Sequence, residues 1–422
     1  MDIFVGVIVG LLVLMTLITL HELGHFIAAR RNGVKVLEFG ICFPPRAIAW
    51  VKDPKTKKWT RLKKSEWEKP QKGLIFSLNW LPIGGFCQMD GESANDTRKG
   101  TFGNARFWAK TKILFAGVAM NWITAFIILL VLSLTGLPKM IPNQFSIPSD
   151  ETVSNRSHVT VAEVLDDSPA KAAGFEKDDT IIAVSGEEVF ASSDVSRINS
   201  AHVGEEVIYT ITRKTNCESK APEETPAEGE ANCEGSEDKE LLLTAKLNNT
   251  DAEYLLGITM SSSQELYHYT WSAPVVAAGL TVQLTGETLK GVGELIGNLV
   301  SGAFKQLNLD DNTRAEGRAA LESAGESVSG PVGIIGVIFP AFTSAGATNV
   351  AYLAALISVS LACMNILPIP ALDGGRWLLI AIFKLRKKEL SKELEEKIVS
   401  RAFLVLLILI ALITILDITR FF

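Results

Sequence analysis

The sequence predicts a polytopic α-helical membrane protein with an α+β domain inserted between its membrane spans. Uncharged apolar runs alternate with polar stretches along the 422 residues, so mean hydropathy is +0.24 although 21% of the residues are charged. The charge is unevenly spread: residues 30–72 are rich in Lys and Arg, whereas 218–238 are rich in Asp and Glu. A net charge of −6 gives little support for nucleic-acid binding.

Four apolar runs are long enough to cross a hydrocarbon core of ~30 Å. We expect these spans at 3–29, 112–136, 350–368 and 402–419. A cleaved signal peptide is a poor alternative for the first run, because its start carries Asp2 and no Lys or Arg. The loops after the first and third spans are strongly basic. The positive-inside rule therefore places both loops in the cytoplasm and both termini outside.

The spans divide the chain into four predicted parts. These are a first membrane part (1–137), an extracytoplasmic domain (138–272), an apolar connecting part (273–347) and a second membrane part (348–422). In the connecting part, 274–307 reads as an amphipathic helix at the membrane interface, with Leu289, Val292, Ile296 and Leu299 on its apolar face. Pro331 and Pro340 interrupt residues 329–346, which favours a segment that is either re-entrant or covered by protein.

The extracytoplasmic part alternates short strand patterns with one helix. Ser168 and Pro169 are typical of a helix start, and Gly174 of a helix end. An acidic insertion at 216–239 has the composition of a disordered loop. Cys217 and Cys233 flank it, either as a disulfide that closes the loop or as two free thiols.

The chemistry-bearing motif is HELGH, which lies inside the first predicted span. On a helix, His21 and His25 are four residues apart and project from one face, so both imidazoles can bind one zinc ion. Glu22 beside them is placed to act as a general base. Such polar groups are costly inside a membrane unless they are paired or bind a metal. The alternative is an interfacial polar cluster that reaches water.

A catalytic zinc site usually has three protein ligands, so a third is expected elsewhere. Asp373, in NILPIPALDGG, is the candidate. Pro368 and Pro370 should end the third span, and the orientation of the spans puts Asp373 and His25 at similar depth near the cytoplasmic face. Read alone, the Asp-Gly pair indicates only a turn.

Together these motifs resemble the site-2 protease family of intramembrane zinc metalloproteases. The resemblance extends over nearly the whole chain and rests on five motifs, which are HELGH, LPIGGFCQM (81–89), GVAMN (117–121), SGPVGI (329–334) and the NxxPxPxxDGG run from Asn365. It is greatest to bacterial regulators of sigma factors, which carry a single PDZ domain. The segment SPAKAAGFEKDDTIIAVSGEEV is similar to the core of that domain.

The resemblance implies a core of the first three spans with a peripheral fourth, and a re-entrant β-hairpin at residues 74–90. It also implies zinc bound by His21, His25 and Asp373, with Glu22 as general base. Asn365, Pro368, Gly84 and Gly85 would contact the substrate. An ordinary cytoplasmic hairpin remains open for 74–90, because its alternation is weak.

The implied substrates are truncated single-pass membrane proteins, such as anti-sigma factors and signal-peptide remnants, cleaved in the bacterial inner membrane. The PDZ domain would bind a peptide or exclude bulky substrates. A zinc transporter is a rival, but it usually has inverted repeats and more spans. A non-catalytic scaffold is another, but it has no need for Glu22.

Overall fold

The computed structural model describes residues 2–67, 71–92, 96–141, 143–154, 158–190, 192–214, 238–248, 254–261, 265–306, 310–326 and 330–421. The chain forms two compact units. The first comprises Met1–Leu137, Ile141–Glu151 and Tyr269–Phe422, and the second comprises Pro138–Met140 and Thr152–His268.

The first unit is mainly helical. Its helices are α1 (Asp2–Arg31), α2 (Phe107–Thr135), α5 (Ala273–Gln306), α6 (Asp311–Glu326), α7 (Pro331–Gly333), α8 (Phe339–Ser344), α9 (Ala347–Ile366), α10 (Asp373–Leu385) and α11 (Lys392–Phe421). In the described residues, α1, α2, α9 and α11 are long and apolar enough to cross a membrane. These are the four expected spans, although α11 begins at Lys392, ahead of the expected residue 402.

A sheet follows the first span where the sequence suggested a basic loop. It has the order β2-β1-β3, with β1 at Val36–Lys52, β2 at Trp59–Arg61 and β3 at Leu74–Met89. Both long strands bend, so that Glu38 has register partners on both arms of β3, Gln88 and Ile75. The segment 74–90 is therefore not a self-contained hairpin. The sequence did not predict β1, because polar and apolar residues do not alternate regularly along it. Glu38, its one buried acidic residue, is paired with a side chain that only folding brings close.

That partner is Arg46, on the other arm of β1. The guanidinium of Arg46 binds both carboxylate oxygens of Glu38, and the Ser77 hydroxyl donates to Glu38 Oε1 over 2.6 Å. A buried carboxylate needs such partners, because an unpaired buried charge is strongly destabilising. The polar cluster fixes how the bent strands pair.

Residues 331–344 are helical, so the two prolines do not make the backbone irregular; a re-entrant or protein-covered position of the segment stays a prediction. α7 leads into a π-helical turn at Ile334–Ile338 and then into α8. Pro331 is at a first helical position, where no backbone donor is needed, and the wide π turn precedes Pro340. The side chain of Asp417 in α11 caps the segment, accepting hydrogen bonds from the backbone nitrogens of Gly330 (3.1 Å) and Gly333 (2.8 Å).

The predicted amphipathic helix at 274–307 forms as α5, and its location at a membrane interface stays a prediction. The residues that are buried lie mostly in its first half and are Ala273, Val276, Ala277, Leu280, Leu284 and, near its end, Gly302. On the face predicted to be apolar, Leu289, Ile296 and Leu299 are exposed on the protein surface. Near its end, α5 packs on α6, where Gly302 lies against Leu321.

The second unit is an α+β fold. Its elements are β5 (Thr152–Ser154), β6 (Val159–Val164), α3 (Pro169–Ala173), β7 (Thr180–Val184), β8 (Glu187–Glu188), α4 (Ser192–Ala201), β9 (Glu206–Lys214), β10 (Asp238–Lys246), β11 (Ile258–Ser261) and β12 (Leu266–His268); β4 (Leu137–Pro138) lies where the chain passes between the units. The main sheet has the order β10-β9-β7-β6-β11, with β8 paired to β7. As expected, Ser168 caps α3 and Gly174 ends it.

One ion pair anchors this sheet to the loop before β7. Arg213 donates to both oxygens of Asp179, a fully buried carboxylate, over 2.6 and 2.7 Å. The hydrogen bond to Asp179 raises the pKa of Arg213 above its ordinary value. Most of the acidic insertion, with Cys217 and Cys233, lies outside the described residues, so the disulfide stays a prediction.

Candidate active site

The two histidines of HELGH lie on one face of α1, as their spacing requires. The side chains of His21 and His25 are buried, and Glu22 beside them is half-buried. Their Nε2 atoms are 3.1 Å apart. The run of apolar residues before them makes α1 continuous, so the histidines are presented from a rigid helix and not from a loop.

Asp373 reaches the histidines from a separate element. α9 ends at Ile366, and Leu367 is already extended. The sequence suggested a tight turn at Asp373, but a new helix, α10, begins at this residue. Both glycines that follow are pressed against the preceding backbone: a Cβ at Gly375 would lie 2.0 Å from the carbonyl oxygen of Ile369. The two glycines therefore let α10 start close to the end of α9.

α10 is fastened to α2 and to the loop after β3. The indole nitrogen of Trp377 donates to the hydroxyl of Thr111 over 3.0 Å. Arg376 binds the backbone carbonyl of Glu92 and forms an ion pair with Glu395 at 3.3 Å. These contacts hold the first turn of α10, and with it the carboxylate of Asp373, against the histidines.

The three side chains form a compact donor triangle. Oδ2 of Asp373 lies 3.2 Å from Nε2 of His21 and 3.2 Å from Nε2 of His25. Tetrahedral zinc with bonds of about 2.0–2.1 Å spaces its ligands by about 3.3 Å. Within the described part of the chain, Asp373 Oδ2 is buried without a hydrogen-bond partner of good geometry. An orphaned oxygen facing two imidazole nitrogens at this spacing fits a zinc ion.

Close packing of α1 on α2 shapes this site. A Cβ at Gly24 would lie 2.3 Å from the carbonyl oxygen of Ala116, so the two helices touch through their backbones. A Cβ at Gly117 would lie 2.5 Å from both Cε1 of His21 and Nε2 of His25. Gly117 therefore leaves the space that the two imidazoles occupy.

The outer nitrogen of each imidazole also has a partner on α2. Nδ1 of His25 lies 2.8 Å from the backbone carbonyl oxygen of Ile113, and Nδ1 of His21 lies 3.2 Å from the side-chain amide of Asn121. Because a carbonyl oxygen can only accept, Nδ1 of His25 carries a proton, and Nε2 is the nitrogen left to bind a metal. The helix thus favours the form of His25 that could bind a metal through Nε2.

The sheet approaches the same turn of α1. Gly84 has a positive φ of 106°, and a Cβ there would lie 2.7 Å from Ile18; a Cβ at Gly85 would lie 2.9 Å from the carbonyl oxygen of Gly40 and 3.2 Å from Thr19. Further along β3, the backbone of Cys87 faces the carboxylate of Glu22. The two glycines therefore serve the docking of β3 on α1.

The remaining predicted site residues are less closely tied to the triangle. The amide nitrogen of Asn365 donates to the carbonyl oxygen of Leu361 over 2.9 Å, within its own helix, and Pro368 is exposed. Sequence reasoning gave no role to Gly117 or Asn121. The GVAMN run contained the signal, since a Gly and an Asn four residues apart share one helical face in an apolar span.

A cavity opens beside Asp373. Its volume is about 900 Å³, and polar and charged side chains contribute much of its lining, among them Asp373, Arg376, Glu395 and Ser400. The cavity gives the triangle a polar neighbourhood on the side where α10 and α11 begin.

Comparison with known proteins decides the family. The profile of peptidase family M50 matches residues 9–410. The chain belongs to this family. This M50 peptidase is 23% identical to the zinc metalloprotease RasP of Bacillus licheniformis, with 99% of each chain covered. It is 25% identical to a protein of Clostridium acetobutylicum (98% of each chain) and 26% identical to one of Agrobacterium fabrum (92% of this chain and 88% of the relative), whose names class both as zinc metalloproteases.

M50 membership makes the chain a zinc metalloprotease. Together with the four long apolar helices in the described residues, it also makes the chain a multi-pass membrane protein with membrane proteins as its substrates. This agrees with the resemblance seen in the motifs of the sequence.

Proposed function

We propose that this M50 peptidase cleaves the transmembrane segments of truncated single-pass membrane proteins, with His21, His25 and Asp373 as its zinc ligands and Glu22 as its general base. The observation that carries the proposal is the donor triangle, whose three atoms lie 3.1–3.2 Å apart next to Glu22. Anti-sigma factors and signal-peptide remnants are the substrate classes that the resemblance implies.

The residues divide the reaction between them. When bound, zinc lowers the pKa of water and polarises a carbonyl group. Glu22 accepts the proton of the attacking water and later delivers it to the leaving amide nitrogen. Burial of His21 and His25 keeps bulk water away from their nitrogens, while the cavity beside Asp373 is a route by which water reaches the site.

Glu22→Gln tests the role of the base without removing a ligand. We expect the variant to retain zinc and to lose cleavage of a single-span reporter by about 10²–10⁴-fold, the usual contribution of general acid–base catalysis. Zinc is measured in the purified protein, and Glu287→Gln, on the exposed side of α5, is the matched control. Cleavage by Glu22→Gln at the control rate would refute the assignment.

We also propose that an unwound substrate pairs with β3 as an added strand. In the described residues, the second arm of β3 (residues 85–89) pairs only with the start of β1 and has a free edge on its other side, and its backbone at Cys87 faces Glu22. A helical substrate hides its carbonyl groups in its own hydrogen bonds, so pairing in extended form would expose one to attack. Gly84 and Gly85 are poor probes of this docking, because added side chains would first displace β3 from α1.

Two reporters that differ only in the scissile segment test docking in extended form. One carries an Ala- and Leu-rich segment, and the other has the same segment with one helix-breaking Gly-Pro pair. We expect the second to be cleaved faster, because local unwinding costs less. Equal values of kcat/KM for the two reporters would count against the added strand.

The second unit serves, in this proposal, as an extracytoplasmic PDZ domain that binds a peptide or excludes bulky substrates. Its α+β architecture and the SPAKAAGF segment at α3 support a PDZ-like fold. The basic residues that follow α1 and α10 support a cytoplasmic location for the ends of those helices, and hence for the zinc site. Protease protection in membrane vesicles would test this topology, because the second unit should be cleaved only from the extracytoplasmic side.

A further inference from the structure

Asn121 is a buried polar residue for which the mechanism above has no use. It lies on α2 with none of its surface exposed, and its amide nitrogen is placed 3.2 Å from Nδ1 of His21. The amide oxygen, in turn, has no hydrogen-bond partner in the described part of the chain. A buried, half-satisfied amide costs about 1–3 kcal/mol, so its presence beside a metal ligand calls for a reason.

The reason lies in which nitrogen of the His21 ring carries the proton. If Nε2 of His21 binds zinc, its lone pair is used there, and the ring proton must be on Nδ1. Nδ1 is then a donor, and the group that faces it has to be an acceptor. The amide nitrogen can only donate, so the arrangement with nitrogen toward Nδ1 suits the metal-free form, in which Nε2 carries the proton and points at Asp373.

The heavy atoms of an Asn side chain occupy the same positions when the amide is turned by 180°. We propose that Asn121 is a positioning residue for His21, and that in the zinc-bound enzyme its amide is turned so that the oxygen accepts the proton of Nδ1. This inference rests on the ligand set proposed above. It extends that set with a residue that does not touch the metal.

The surroundings hold Asn121 in place for this role. The hydroxyl of Ser358 on α9 donates to the backbone carbonyl of Asn121 over 2.8 Å, and Gly117, one turn earlier, gives the two imidazoles their space. His25 is served by a backbone carbonyl, which accepts only. An Asn beside His21 can match both forms of the ring, so that the metal-free and the zinc-bound site each keep one hydrogen bond at this position.

Three variants separate positioning from packing. Asn121→Leu has a similar shape but no hydrogen bond. Asn121→Asp can accept from Nδ1 but cannot donate. The control is Asn349→Leu, the same replacement at another buried Asn in a span, whose amide donates to the backbone carbonyl of Ala345 at the end of α8. Zinc affinity is measured by chelator competition on purified protein in detergent. The rate of zinc release is measured from the rise in signal of a zinc-binding indicator dye.

We expect Asn121→Leu to bind zinc about 10–100-fold more weakly, the usual effect of losing the partner of a metal-bound His. Asn121→Asp should stay within a few fold of the native affinity, and Asn349→Leu should be unchanged. If Asn121→Asp does not fold, faster zinc release from Asn121→Leu than from Asn349→Leu still supports the proposal. Native zinc affinity in Asn121→Leu, or equal losses in the Leu and Asp variants, would overturn it.

A fourth variant, His21→Ala, keeps the two proposals distinguishable. Loss of zinc from His21→Ala with native binding in Asn121→Leu defeats the role of Asn121 alone. Native zinc binding in His21→Ala defeats the ligand set, and the role of Asn121 with it.

Discussion

Gly117→Ala adds one methyl group at the point where α2 faces both histidines. In a solvent-exposed helix the same change would be favourable by about 1 kcal/mol, because Ala has the higher helix propensity. Here the new Cβ would lie 2.5 Å from Cε1 of His21 and 2.5 Å from Nε2 of His25. Ordinary carbon contacts are about 3.5–4.0 Å, so the imidazoles or the helix must give way by about 1 Å.

A movement of that size is large for a metal site. Zinc–ligand distances vary by only about 0.2 Å between sites. In addition, Nδ1 of each imidazole is hydrogen-bonded to α2. If the imidazoles moved away from their positions in the triangle, those hydrogen bonds would break, and each has a net value of about 1 kcal/mol. We therefore expect Gly117→Ala to fold and to lose at least about tenfold in zinc affinity, with cleavage falling in parallel.

The assay is zinc content after dialysis against a weak chelator, followed by reporter cleavage on the same sample. Gly291→Ala is the matched control, because no described atom of another element lies within 4 Å of a Cβ built there. Native zinc content and cleavage in Gly117→Ala would show that the space beside the histidines is not limiting, and the packing argument would fail.

Three further results are expected. Gly375→Ala should lose zinc, measured by metal analysis, because its Cβ would lie 2.0 Å from the carbonyl oxygen of Ile369 and would displace the start of α10. Trp377→Phe should lower the Tm of the zinc-loaded protein, since it removes a 3.0 Å hydrogen bond to Thr111 with a net value of about 1 kcal/mol. Desolvation raises the pKa of Asp150, but hydrogen bonds from Ser272 and Thr270 outweigh it, so the pKa lies below its usual value. The ionised form therefore stabilises the fold above the ordinary Asp pKa of about 3.9, and this contribution is lost as the pH falls below that value; Asp150→Asn should show a smaller drop in Tm on acidification.

Much of the site could be predicted because its key relations are local. The four-residue spacing of His21 and His25 guarantees a shared face on any helix. Asp373 could be added because the charge of the loops predicts the direction of each span, and with it the depth at which each span ends. The four spans followed from length and hydropathy alone.

The rest depended on contacts between distant elements. β1 could not be recognised, because a charged residue such as Glu38 is typical of a loop in the sequence. Only the structure shows that Arg46 and Ser77 donate hydrogen bonds to its buried carboxylate. Residues 330–344 contain two prolines that predicted a break, whereas a π turn and a capping carboxylate from α11 preserve the helix. Asn121 lies in an apolar run, and only the packing of α1 on α2 determines which side chain it meets.

Asp417 has a consequence for the order in which the chain is built. It caps Gly330 and Gly333, yet it leaves the ribosome later than both of them, because it follows Gly330 by 87 residues in the chain. Residues 331–344 already contact α1 through Pro340 and Phe339, against Gly6 and Gly10. Until α11 enters the membrane, the start of that segment has two backbone N–H groups without their cap, a costly state in lipid. An enzyme truncated before residue 417 would therefore lack the cap of the segment that packs against α1, the helix that carries the two histidines.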